Sequence, residues 1–186
     1  MKKLLAILAI TLVSGTVSAA SVTIEGQSIE NSTGNDAKNM NLTVRENITA
    51  NFSGHFQVSN TQTDNTNAIS NRLEAGVTGQ TKLFGPVSGY TTVAVGQMLK
   101  ATGNFSYYSV EPGLSAPIGN TGLTAKVGYR YRTSMENANV NLDTTQTVRA
   151  GVSYAFTKQD AVGVRYDKVT GDSKQNVIAV NYTRSF

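Results

Sequence analysis

After its first twenty residues, most of the chain alternates apolar and polar positions with a period of two. That is the pattern of half-buried strands rather than of helices. In 122–132 one face reads Leu123, Ala125, Val127, Tyr129 and Tyr131, and the other Thr124, Lys126, Gly128, Arg130 and Arg132. In 145–155 Val148, Ala150, Val152 and Tyr154 oppose Thr147, Arg149, Gly151 and Ser153. Segment 49–60 sets Ala50, Phe52, Phe56 and Val58 against Asn51, Ser53, His55 and Gln57, and 71–81 sets Leu73, Ala75 and Val77 against Arg72, Glu74, Thr78 and Gln80. Clusters of Asn, Gly, Thr, Asp and Ser interrupt these runs at short intervals, as turns do. The pattern predicts about ten strands, at 21–30, 38–46, 49–60, 71–81, 88–99, 105–116, 122–132, 145–155, 160–168 and 175–186.

The predicted connections alternate in length. Those at 45–49, 82–87, 117–121 and 156–159 are tight, whereas 31–37, 59–70 and 133–144 are longer and polar. Short turns at one end and longer loops at the other, with an even strand count, characterise an antiparallel up-and-down β-barrel of the bacterial outer membrane. The expected fold is therefore all-β, a transmembrane barrel of about ten strands, with eight or twelve as alternatives. A soluble sandwich or lipocalin also alternates. The distinction lies in the polar face, which here carries nearly all the charge, while the apolar face carries aromatic residues at strand ends. Tyr90, Tyr129, Tyr131, Tyr154, Phe156, Tyr166 and Tyr182 are expected in interfacial girdles.

Both chain ends fit that expectation. Lys2 and Lys3 precede an apolar run from Leu4 to Val13 and small residues at Val17 to Ala20, the layout of a secretory signal peptide over 1–20. The run is about half the length a membrane-spanning helix needs. A single domain of residues 21–186 follows. At the other end, Phe186 is preceded at intervals of two by Arg184, Tyr182, Val180 and Ile178. This resembles the terminal signature by which outer-membrane barrels reach their assembly machinery, with Arg184 departing from its apolar rule.

Composition removes several functions. The chain has no cysteine, which excludes disulfides, thiolate catalysis and cysteine-rich metal sites together. Without Lys2 and Lys3 the charge is 14 − 12 = +2, too small an excess to suggest nucleic acid. The single histidine, His55, lies mid-strand on a polar face with Ser53 and Gln57. One strand offers no Ser-His-acid arrangement, and one histidine without cysteine offers no zinc set. Neither an enzyme nor a cofactor is expected.

Three stretches resemble the oligogalacturonate-specific porin family. Tyr108-Ser109-Val110-Glu111-Pro112-Gly113-Leu114-Ser115 is similar to its aromatic-Ser-Ile-Glu-Pro-Gly-aromatic-Ser segment. Val127-Gly128-Tyr129-Arg130-Tyr131-Arg132 is similar to its Leu-Arg-Tyr-Arg strand, and Asn41-Leu42-Thr43-Val44-Arg45 with the hairpin after it to its second and third strands. Members of that family have about twelve strands in a longer chain. The resemblance implies a monomeric channel whose basic wall faces acidic sugars.

The residues supply candidates for such a wall independently. With the apolar face outside, the inward charges are Arg45, Arg72, Lys126, Arg130, Arg132, Arg149 and Arg165, against Glu25, Glu74, Glu111 and Asp167. Arginine suits carboxylates because its planar fork donates two parallel hydrogen bonds. The first expectation is a channel for passive diffusion of small anions or acidic oligosaccharides in the outer membrane of a Gram-negative bacterium. The second is a closed structural or adhesin-type barrel acting through its outer loops, its lumen plugged by Arg–Glu pairs, since ten strands are few for an open bore. Pro112 lacks a ladder N–H, so a bulge or bend is expected around Glu111 to Gly113.

Overall fold

A computed structural model describes residues 20–66, 68–101, 103–136 and 144–186. The signal peptide expected over 1–20 lies outside the described residues except for the backbone of Ala20. Ten strands form one closed sheet: β1 Ala20–Asn31, β2 Ala37–Asn47, β3 Phe52–Thr63, β4 Ile69–Phe84, β5 Val87–Lys100, β6 Gly103–Pro117, β7 Leu123–Ser134, β8 Thr145–Ala155, β9 Asp160–Gly171 and β10 Gln175–Ser185. Each strand pairs antiparallel with its neighbours in sequence. The sheet closes through β1 and β10, from Ser21↔Ser185 to Asn31↔Gln175. Closure removes the edge strands that would otherwise template aggregation.

The two ends of the barrel differ. One holds both strand termini (Ser21 and Ser185) and the turns between β2 and β3, β4 and β5, β6 and β7, and β8 and β9; we call it the terminus end. The other, the loop end, holds the opposite strand ends, among them Asn31, Ala37, Ser134, Thr145, Gly171 and Gln175.

Alternation decides which way each side chain points. Leu73, Val77, Val93, Val95, Val127, Val148, Val164, Ile178 and Val180 are apolar and exposed on the outer wall. Polar residues such as Glu25, Asn41, Ser59, Glu74, Ser109, Arg130, Thr147 and Asp167 are buried inside. This inverts a soluble protein and satisfies a bilayer, where the apolar band meets lipid and the closed sheet pairs each strand with a neighbour on both sides. Phe52, Phe84, Tyr154, Phe156, Tyr182 and Phe186 lie outward near the terminus end, and Tyr108 and Tyr166 nearer the loop end. The terminal row also faces out. Arg184 is accommodated there because its Nη1 meets Asp160 Oδ1 at 3.2 Å, beside the Tyr182 hydroxyl, which donates to the same oxygen at 2.6 Å.

Two sequence expectations are corrected. Tyr90 is not a girdle residue. It shares the inward face of β5 with Thr92 and Ala94, and its hydroxyl donates to Glu111 Oε1 at 3.4 Å. No bulge forms at Pro112. The β6–β7 ladder lapses at Glu111 and Pro112 yet resumes in the same register, Val110↔Tyr131 before the gap and Gly113↔Gly128 after it. Proline removes a donor, but a strand held by β5 on its other side keeps its alignment without it.

Glycines opposite the inward tyrosines let those rings lie flat on the wall. Tyr90 covers its partner Gly113 and the neighbouring Gly128, while Tyr107 covers Gly96. A Cβ at Gly113 would stand 2.5 Å from the Val127 carbonyl as well as against the Tyr90 ring. Since backbone cannot swing aside, Gly113→Ala is expected to cost about 1–3 kcal/mol. The check is the temperature at which the refolded barrel converts to its unfolded electrophoretic form.

Candidate functional site

The lumen is the concave site. Its terminus-end half encloses a cavity of about 700 Å³ that reaches from Ser21, Asn47 and Gln80 at the rim to Arg72, Arg130 and Arg165 at mid-height. Alternate residues of antiparallel strands line it, so every lining side chain is held by a strand fixed on both sides.

At mid-height the inward charges form a belt. Glu74 on β4 accepts from the Tyr107 hydroxyl at 2.7 Å and from Arg130 Nη2 across the lumen, and His55 Nε2 lies 3.7 Å from its other oxygen. Arg130 Nη2 also donates to Ser109 Oγ at 3.0 Å. Next around the wall, Arg149 Nη1 meets Glu111 Oε2 at 2.7 Å, and its Nε lies 3.5 Å from Asp167 Oδ2. Arg165 then bridges Asp167, through Nε at 2.9 Å, and Glu25, through Nη1 at 2.8 Å and Nη2 at 3.2 Å. Glu25 Oε1 is further held by Gln27 at 2.6 Å and Asn41 at 2.8 Å. Buried charges survive only when paired and hydrogen-bonded, and these are.

Beyond the belt the lumen fills with buried side chains, the polar Asn39, Ser59 and Thr145 together with apolar groups. Tyr107 and Phe105 are the two largest fully buried side chains, and Ile29, Ala37 and Val177 pack together with Val169 toward the loop end. The cavity therefore opens at the terminus end and stops at the belt.

The sequence candidates separate into three positions. Arg130, Arg149, Arg165 and Glu111 are belt members tied to partners. Arg132 lies past the belt, its guanidinium 5.4 Å from the centre of the Tyr107 ring, and is not among the residues lining the cavity. Arg45, Arg72 and Lys126 line the cavity and make no ion pair among the described residues. Arg45 Nη1 donates only to hydroxyls, Ser53 at 2.9 Å and Thr78 at 3.3 Å, and Arg72 Nη2 donates to Ser59 at 3.1 Å. The cavity wall thus carries three cations that stand outside ion pairs among the described residues.

Sequence reasoning passed over Tyr90 and Tyr107 as lumen residues. The signal was available for Tyr90, because it stands in step with Thr92, Ala94 and Gly96 while Val93 and Val95 take the other face. His55 is in the lumen as its strand face indicates, and its Nε2 faces the belt carboxylate Glu74. Among the described residues no cluster of three or more His, Cys, Asp or Glu is arranged to hold a metal.

No protein-family model matches the chain, and no curated protein matches its sequence. Solved structures do match its shape. An outer membrane channel from Pseudomonas putida F1 superposes with a TM-score of 0.61 at 10% identity, covering 93% of this chain and 97% of that one. The NanC porin gives 0.59 at 10% identity over 88% and 98%. The β domain of the Bordetella autotransporter BrkA gives 0.56 at 10% identity over 90% and 99%. This is an outer-membrane β-barrel fold. At such identity the likeness extends to architecture alone, and channels and an autotransporter domain share it equally.

Proposed function

We propose that the barrel is a narrow channel of the Gram-negative outer membrane for small anions, exported by the signal peptide at 1–20 and acting as a monomer. The termini of an even-stranded barrel lie on the periplasmic side, so the basic cavity is a periplasmic vestibule and the loop end faces outward. The observation that carries the reading is the row of Arg45, Arg72 and Lys126 on the vestibule wall, which make no ion pair among the described residues. A confined cationic site raises the local concentration of anions, and charges partly withdrawn from water act more strongly than they would in bulk.

The belt sets the bore. With Glu74, Arg130 and Tyr107 joined across the lumen, the pathway at mid-height narrows to what thermal motion of side chains admits. This favours inorganic anions and small carboxylates over the acidic oligosaccharides of the family that the sequence resembles. Passage needs binding that is favourable yet shallow. Cations held only by hydroxyls supply this better than ion-paired ones.

The test is efflux from vesicles that hold the refolded barrel. Chloride loaded inside should leave at a rate proportional to protein, while a co-loaded acidic trisaccharide stays. Loss of both at equal rates would contradict the narrow belt. Retention of both by a folded barrel would favour the second reading, a plugged barrel acting through its outer loops.

A further inference from the structure

We infer that the outer wall at the loop end of β9, β10 and β1 binds the phosphorylated head group of an outer-leaflet glycolipid. A groove of about 290 Å³ lies there, outside the vestibule and bearing two lysines, Lys168 on β9 and Lys174 in the β9–β10 connection. The rim is firm, because Ser32 N donates to the Lys174 carbonyl at 3.1 Å and so ties the β1–β2 connection to it. Glu30, Asn176 and Lys168 form one outward row across three adjacent strands, through the pairs Glu30↔Asn176 and Asn176↔Lys168. Neighbours in such a row stand about 4.8 Å apart.

The next row toward the membrane is Ile178 and Tyr166, and the one below it Val180 and Val164, all strongly exposed. The Tyr166 hydroxyl donates to Asn176 Oδ1 at 2.9 Å and so joins the lipid-facing band to the groove. A ligand filling the groove therefore has an anionic head against the lysines and apolar chains against Ile178 and the valines. Compact ammonium groups suit phosphate as point charges. Asn176, Ser32 and Glu30 supply the donors and acceptors that sugar hydroxyls need. Apolar chains, a sugar and a phosphate together describe a phosphorylated glycolipid. The assignment to the outer leaflet rests on the proposed orientation, in which the loop end faces outward.

The experiment is native mass spectrometry of the refolded barrel, released from neutral detergent with a short-sugar diphosphorylated lipopolysaccharide as probe. The wild-type protein should retain one molecule, with the affinity of Lys168→Ala/Lys174→Ala reduced on the order of tenfold. Removing the phosphates from the probe should have a similar effect. Unchanged binding by the variant, or equal binding of the dephosphorylated probe, would overturn the site. Competition by inorganic phosphate at equal concentration would mark a free-anion site and overturn the lipid assignment. An epitope tag inserted at Asn65 and read on intact cells reports orientation separately. An inaccessible tag with intact lysine-dependent binding would overturn the outer-leaflet assignment and the orientation while leaving the groove's chemistry standing.

Discussion

Glu74→Ala is expected to destabilise the barrel by about 3–5 kcal/mol, the usual cost of removing one partner from a buried ion pair. Glu74 is 4% exposed and is the carboxylate that Arg130, Tyr107 and His55 converge on. Taking it away leaves Arg130 buried with the Ser109 hydroxyl as its remaining hydrogen-bond partner among the described residues, in a region where Arg72 already lacks an ion pair among them. The loss arises from an uncompensated charge, so removing both charges together should restore most of it. Glu74→Leu/Arg130→Met replaces the pair by apolar groups of similar bulk, an exchange that is often neutral or better. Urea midpoints of folded and unfolded gel mobilities for the two single variants and the pair measure this. Single-variant losses below about 1 kcal/mol, within the range of an exposed ion pair, would mean that the belt is not closed in the membrane.

Reversing the vestibule charges should invert ion preference without harming the fold. Arg45→Glu/Lys126→Glu replaces two cations that face the cavity and make no ion pair among the described residues. The wall then changes by four charge units, and a preference for anions should become a preference for cations, with the permeability ratio moving on the order of tenfold or more. The belt variants act differently. Losing Glu74 should alter stability first and conductance second, because its partners hold the constriction rather than the vestibule. A charge-reversed protein with an unchanged permeability ratio would show that ions do not pass along this wall.

Much of the fold was legible in the sequence because a membrane barrel turns physical constraint into a simple repeat. Each strand must show lipid an apolar face and its lumen another, so Val127 against Arg130, or Val148 against Arg149, assigns sides without knowledge of partners. The faces of Arg45, Lys126 and Arg165 followed in the same way. Which charges meet did not follow. Glu74 and Arg130 are 56 residues apart, and they touch because the curve of the sheet turns the inward faces of β4 and β7, three strands apart, toward each other.

The loop end was harder for a different reason. Val177 and Ile178 are adjacent and both apolar, yet one is buried inside and the other lies exposed on the outer wall. Where the lumen itself is packed with Ile29, Val177 and Phe105, the polar-inside rule fails, and period-two reading cannot tell a plug from a wall. Pro112 failed as a bulge signal because the strand beyond it was already aligned by β5.

The central claim, a lumen that passes small anions along Arg45, Arg72 and Lys126, is tested most directly by the reversal potential of single barrels in a planar bilayer under a tenfold potassium chloride gradient. The account predicts small, steady conductance steps whose reversal potential has the sign for chloride. Steps that reverse at the potassium sign would contradict it, as would a folded, inserted barrel that conducts nothing.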